Sequence, residues 1–135
     1  LVATLDRIAD LAVQARALAA RQPAQLAARY RETLRQLTAE GPPVSEDWIM
    51  QEAAALAVKA DVAEELERLA AHVEQARDLL AEGGPVGRRF DFLSQEFNRE
   101  ANTLGAKSAD LALTRVAMDL KAAIDAFREQ VQNVE

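Results

Sequence analysis

SEDWIMQEAAALAVKADVAEELERLAAHVEQARDLL, residues 45–80, is the stretch that decides the fold class. In it Ile49, Ala53, Leu56, Ala60, Ala63, Leu66, Leu69, Val73, Ala76 and Leu80 recur at spacings of three or four. That spacing lays one apolar stripe along an α-helix. Ser45 is a good N-cap, and Glu46 and Asp47 in the first turn suit the helix dipole. No Gly or Pro interrupts the run, so the pattern predicts one helix of roughly 35 residues, ending before Gly83-Gly84-Pro85. Asp61 and Glu64 form a D-x-x-E capping pattern, the one place inside the run where a break is legible.

The same periodicity extends in both directions. Upstream, Leu5, Ile8, Ala12, Ala15 and Leu18 form a stripe, Pro23 kinks it or opens a new helix, and Leu26, Tyr30, Leu34 and Leu37 continue it to Gly41-Pro42-Pro43, a strong breaker. Downstream, Phe90, Leu93, Phe97, Ala101 and Leu104 share a face; Gly105 weakens that helix, and Ser108 or Asp110 is placed to cap the next. In the last helix Leu113, Ala117, Leu120, Ile124, Phe127, Val131 and Val134 alternate by four and three, a heptad seam that needs a partner helix, inside the chain or in another copy. The expected fold is therefore all-α, with helix above ~75% of the chain. Long antiparallel helices form a hairpin or bundle, and we expect the seam and the amphipathic first helix to make it oligomeric.

Composition agrees with this. Half of the 135 residues are hydrophobic but only 4% are aromatic; the apolar content is mostly Ala and Leu, which favour helix. The absence of Cys excludes disulfides, thiolate nucleophiles and sulfur-bound zinc. No apolar run approaches the ~18 residues of a membrane span, and Asp6, Arg7, Asp10 and Arg16 break up the start in a way no signal peptide does. Position 1 is Leu, so the chain is expected to begin inside a longer protein. The net charge is −6, with 9 basic against 14 acidic residues in 1–85 and 7 against 8 in 86–135. A freestanding nucleic-acid binder is usually basic, so any nucleic-acid surface here is a local patch or is completed by other chain or subunits.

The densest polar information is in GRRFDFLSQEFNREANTLGAK, residues 87–107. At 100° per residue, Glu96, Arg99, Thr103 and Lys107 fall within about 80° of arc, with Glu100 at the border of the apolar face. Asp91, Gln95, Asn98 and Asn102 make a second polar strip. Asn and Thr are poor helix formers, and specific hydrogen bonding accounts for them better than solvation does. A second stripe, Asp61, Glu65, Arg68 and His72, falls within about 60° of arc at the rim of its helix's apolar face. These spacings also make ordinary surface ion pairs. Carboxylates with an imidazole suit Mg²⁺ or Mn²⁺ rather than structural zinc. Glu65, His72, Glu96 and Glu100 are thus the metal candidates. Glu96, Glu100 and His72 are the catalytic candidates, and Arg88, Arg89, Arg99 and Lys107 the phosphate-binding ones. There is no phosphate-binding glycine loop or nucleophile elbow.

Three blocks in order carry a resemblance. Residues 87–103, the ending at residues 128–135 and the segment Asp61 to Leu69 with His72 resemble the YicC family. Phe90 stands where Leu is common, and Gly105-Ala106 replaces a more usual small pair. The match is good over 61–135, read as the family's C-terminal domain. Residues 1–60 match only as a helical connecting region, and the family's N-terminal domain is absent from this chain. The resemblance implies a cytoplasmic, metal-dependent endoribonuclease that hydrolyses RNA, using Mn²⁺ or Mg²⁺ and assembling as a homo-oligomer (a hexamer in the family) around RNA. The alternative is a helical oligomerisation and RNA-clamping module without catalysis on its own. No membrane partner is expected.

Overall fold

The computed structural model describes residues 1–84, 86–108 and 110–133. Six helices follow one another among them: α1 (Val2–Ala19), α2 (Gln22–Thr38), α3 (Glu46–Lys59), α4 (Ala63–Glu82), α5 (Gly87–Lys107) and α6 (Leu111–Gln132). The described residues contain no strand, and helix exceeds the three-quarters expected.

Four of the helices close a ring: α1 packs on α4 and α6, and α5 packs on α4 and α6. This is a four-helix bundle around one core. Leu5, Ile8, Leu69, Leu104, Leu120 and Ile124 are almost wholly buried in it. Phe127 sits at its centre, edge-on to Phe90 at 5.9 Å and to Phe97 at 5.5 Å between ring centroids. Such T-shaped pairs place a ring's positive edge on its neighbour's negative face. Helix α1 belongs to this core, so residues before position 60 share it with those after. Helices α2 and α3 pack on each other as a separate hairpin, joined to the bundle mainly at α1. Their contact buries Leu26, Ile49, Ala53 and Ala57.

The heptad seam of the last helix is satisfied inside the chain. Leu113, Ala117, Leu120, Ile124, Phe127 and Val131 are all buried, and the helix packs on α1 and α5; Val134 lies outside the described residues. Among the described residues, the seam and the apolar stripe of α1 are thus covered inside the chain.

The single helix of roughly 35 residues expected between the Ser45 cap and Gly83 is two helices. Helix α3 ends at Lys59 and α4 starts at Ala63. The capping pattern at Asp61 prevails over the continuous stripe: Asp61 Oδ1 accepts from the Ala63 backbone N–H at 3.1 Å, satisfying a donor of the new helix. Gln22 Nε2 donates to the Ala60 carbonyl at 3.2 Å, satisfying an acceptor of the old one. Val62, 1% exposed, then enters the bundle core. The break separates two stripes with different destinations, one for α2 and one for the bundle. Leu37, at 76% exposed, lies off any core although it continues the α2 spacing.

The other boundaries fall where expected. Ser45 Oγ accepts from the Trp48 backbone N–H at 3.1 Å and caps α3. Asp110 Oδ1 does the same for α6 through the Ala112 backbone N–H at 2.9 Å. After α4, Gly83 and Gly84 have φ of 71° and 80°, a left-handed conformation that glycine adopts without Cβ strain. Pro85 lies outside the described residues. This reversal lays α5 antiparallel along α4 and brings the two polar stripes together.

Candidate metal centre

Antiparallel packing reverses the order of residues across the α4–α5 seam. Glu65 therefore meets Lys107 at one end, Arg68 meets Glu100 in the middle, and His72 meets Glu96 one turn further on. One ligand atom from each of His72, Glu96 and Glu100 fits within 4.8 Å of the others. His72 Nε2 lies 4.0 Å from Glu96 Oε2. The His72 ring is edge-on to Phe97, 6.3 Å between centroids, and its Nδ1 lies 3.4 Å from Gln75 Oε1.

A ring of fixed charges surrounds these groups. Arg68 Nε donates to Glu100 Oε1 at 2.9 Å. Its terminal nitrogens reach Glu65 Oε1 at 3.6 Å and Glu64 Oε2 at 3.5 Å. The hydrogen bond to Glu100, with the charges of Glu100 and Glu65, holds the Arg68 guanidinium above its usual pKa. Lys107 Nζ donates to Glu65 Oε1 at 2.7 Å and to the Asp61 carbonyl at 3.3 Å. Glu65 and Glu100 are buried, at 3% and 4% exposed, and buried carboxylates persist as charges only when paired. Glu65 Oε2 is buried and accepts no hydrogen bond from the described residues.

Three of the four metal candidates from the sequence thus converge, and Glu65 lies beside them, linked to Glu100 through Arg68. The donor set suits a hard divalent cation. Ligand atoms about 2.0–2.1 Å from an octahedral ion stand at most ~4.2 Å apart, close to the observed spread of up to 4.8 Å. Glu64, Glu65, Glu96 and Glu100 carry four negative charges against the three of Arg68, Arg99 and Lys107 paired with them within 4.0 Å. The excess negative charge favours a cation, and a dication reverses the sign and favours a phosphate.

The phosphate-binding candidates separate. Arg99 is exposed at the rim, its Nη1 4.0 Å from Glu96 Oε1. Arg88 is exposed without an ion pair among the described residues, and Arg89 makes an exposed pair with Glu82 at 3.4 Å. Lys107 is the exception, because its ammonium is engaged by Glu65. Sequence reasoning put Arg68 on the candidate stripe but gave it no role in the site, where it ties two buried carboxylates together, and it missed Gln75, which touches His72. The signal for Arg68 was that stripe, which it shares with Glu65 and His72. In the second polar strip only Gln95 and Asp91 bond to each other, at 3.2 Å.

Residues 15–135 match a family profile described as "Endoribonuclease YicC-like, C-terminal". The chain is 39% identical over 130 residues to a protein of Haemophilus influenzae named "Probable endoribonuclease YicC", covering 96% of this chain and 45% of that one. It is 36% identical over 110 residues to a protein of the same name from Clostridioides difficile, covering 78% and 38%. The chain thus spans less than half the length of these relatives.

Proposed function

The chain belongs to the YicC family, and from that premise we propose that it supplies the metal-holding part of an endoribonuclease that hydrolyses RNA phosphodiester bonds. The convergence of His72, Glu96 and Glu100 between α4 and α5 carries the reading. In it these three side chains hold Mn²⁺ or Mg²⁺. When bound, such an ion polarises the phosphodiester and makes water a stronger acid. Glu65 acts at one remove: with Arg68 it fixes the Glu100 carboxylate, so the site does not reorganise as charge develops. Arg99, at the rim, pairs with a non-bridging phosphate oxygen. Water adds to phosphorus, the bond to the leaving oxygen breaks, and the water's proton is passed on to solvent or to that oxygen. The enzyme in this reading is a cytoplasmic homo-oligomer, with Leu37, Trp48, Met50 and Val58, exposed on α2–α3, as the apolar residues open to assembly.

The test is Glu96→Gln and Glu100→Gln in the complete polypeptide. Each removes a ligand charge and leaves the basic contacts that dominate RNA affinity. Cleavage of a labelled hairpin RNA should disappear while RNA binding at fixed salt stays within about tenfold, ~1.4 kcal/mol. Normal cleavage by both variants rules the site out.

One observation favours a second reading. The chain covers under half the length of its relatives, which suits a clamping and assembly module whose catalysis needs the rest of the protein. RNA binding without cutting by this chain alone in Mn²⁺, with cutting by the complete polypeptide, is the outcome that reading expects.

A further inference from the structure

The α4–α5 seam continues past the metal-site candidates. Beyond His72 and Glu96 it opens into a cleft of about 470 Å³ lined by Gln75, Leu79, Arg88, Arg89, Phe92 and neighbouring side chains, a size typical of small-ligand sites. Phe92 is its unusual feature. The other three phenylalanines, Phe90, Phe97 and Phe127, are buried in the core, whereas Phe92 is 58% exposed. It is the only large exposed apolar side chain on α4 or α5 among the described residues. The helix does not need it there, since its apolar stripe is complete without position 92.

The cleft is continuous with the cluster. Gln75 lines the cleft and its Oε1 is 3.4 Å from His72 Nδ1. Phe92 stands four residues before Glu96, one turn along the same face of α5. On the far side, Arg88 and Arg89 supply positive charge. Arg88 has no ion-pair partner among the described residues, and the exposed Arg89–Glu82 pair is of the weak surface kind that a phosphate displaces. An aromatic face flanked by cations and an amide fits a nucleotide: every base has a π-face to stack, and its phosphate pairs with guanidinium. Asp78 on the α4 wall repels a phosphate, which leaves the arginine side for it.

We propose that this cleft is a nucleotide subsite next to the metal centre, in which an unpaired RNA base stacks on Phe92 and its phosphate pairs with Arg88 and Arg89. The proposal rests on the endoribonuclease reading for its ligand. It also gives that reading a substrate preference. A base inside a duplex has both faces covered, so the subsite takes a nucleotide from a loop, bulge or single strand beside the cut.

The experiment uses the complete polypeptide and a hairpin RNA with 2-aminopurine at a loop position, whose fluorescence falls when the base stacks. Phe92→Ala and Phe92→Leu should fold normally by circular dichroism, since the side chain is mostly exposed. Both should abolish the fluorescence change, weaken binding and raise KM by about tenfold, as expected for loss of one base–aromatic stack, with a far smaller change in kcat. Phe92→Trp should retain stacking. Replacing the loop base by an abasic site should weaken binding to the unsubstituted protein and make it insensitive to Phe92→Ala. Unchanged RNA affinity in Phe92→Ala, equal sensitivity of the abasic RNA, or an effect on sedimentation alone overturns the proposal; the last outcome makes Phe92 a protein contact. Failure of the parent reading looks different: Glu100→Gln still cuts, while the Phe92 variants still lose the stacked base.

Discussion

Lys107 has the spacing of a phosphate contact, yet its ammonium lies 2.7 Å from the Glu65 carboxylate, which is 3% exposed. A lysine in that position is structural first. Lys107→Met leaves Glu65 with Arg68 at 3.6 Å as its remaining cation, so the buried charge loses its best partner. The expected cost is about 1–3 kcal/mol, read as a lower urea midpoint with unchanged slope. Adding Glu65→Gln should recover much of it, because the unpaired charge goes with it. A lysine that only touched RNA would change affinity and leave the midpoint alone. The candidate side chains themselves were legible in the sequence, because the angle between residues on one helix is fixed by its pitch. Which of them touch across two helices was not. The mutual rotation of α4 and α5 depends on core packing, and that rotation decides that Glu100 faces Arg68 and that Lys107 reaches Glu65.

Between helices the same competition decides where the chain breaks. Periodicity marked the apolar stripes and the Gly and Pro breakers, so the breaks near residues 41–45 and 83–87 were legible. Division of the long stripe at Ala60–Val62 was marked only by the Asp61–Glu64 capping pattern, and the stripe outweighed it in the reading because both halves keep the same spacing and differ only in the partner they pack on. The α2–α3 hairpin offers a clean electrostatic test of its own. Arg35 grips Glu46 in the first turn of α3 with two hydrogen bonds, 3.2 and 2.8 Å. Hydrogen bonding to Arg35 and its charge hold the Glu46 carboxyl below the usual carboxylate range. A depressed acid pKa adds stability that is complete above the unfolded-state pKa and is lost as pH falls through the folded one. The hairpin should therefore loosen on acidification below the usual carboxylate range, with little change from there to neutral pH. Trp48, the only tryptophan, sits in the same capped turn and reports this by fluorescence. In Glu46→Gln that acid-induced change should shrink; an identical titration shows that the pair contributes nothing.

At the scale of the whole molecule, charge and shape set what the chain does alone. The bundle was legible as a class, since heptad and 3.6-residue patterns demand helix-on-helix packing. The seam's partner was not, because a heptad reads the same whether it packs in its own chain or another. The structure spends that seam inside the bundle, and in the proposed endoribonuclease reading the phosphate contacts are the exposed basic groups beside the cleft. Of the four phosphate candidates, Lys107 is engaged by Glu65, which leaves Arg88, Arg89 and Arg99 facing solvent. Three contacts to single-stranded RNA release about 0.7 counterion each. The slope of log K against log salt for this chain alone should therefore be about −2. Such a shallow slope goes with weak binding, in keeping with the net charge of −6. The complete polypeptide, or an assembly that lines up several copies, should show a markedly steeper slope as their contacts add. Fluorescence anisotropy of a labelled loop RNA over a salt series, on this chain and on the complete polypeptide, measures both. Equal slopes for the two mean that the rest of the polypeptide adds no phosphate contacts, and a slope steeper than about −5 for the chain alone means that it carries an electrostatic surface larger than these three arginines. Tight RNA binding would then reside in these 135 residues.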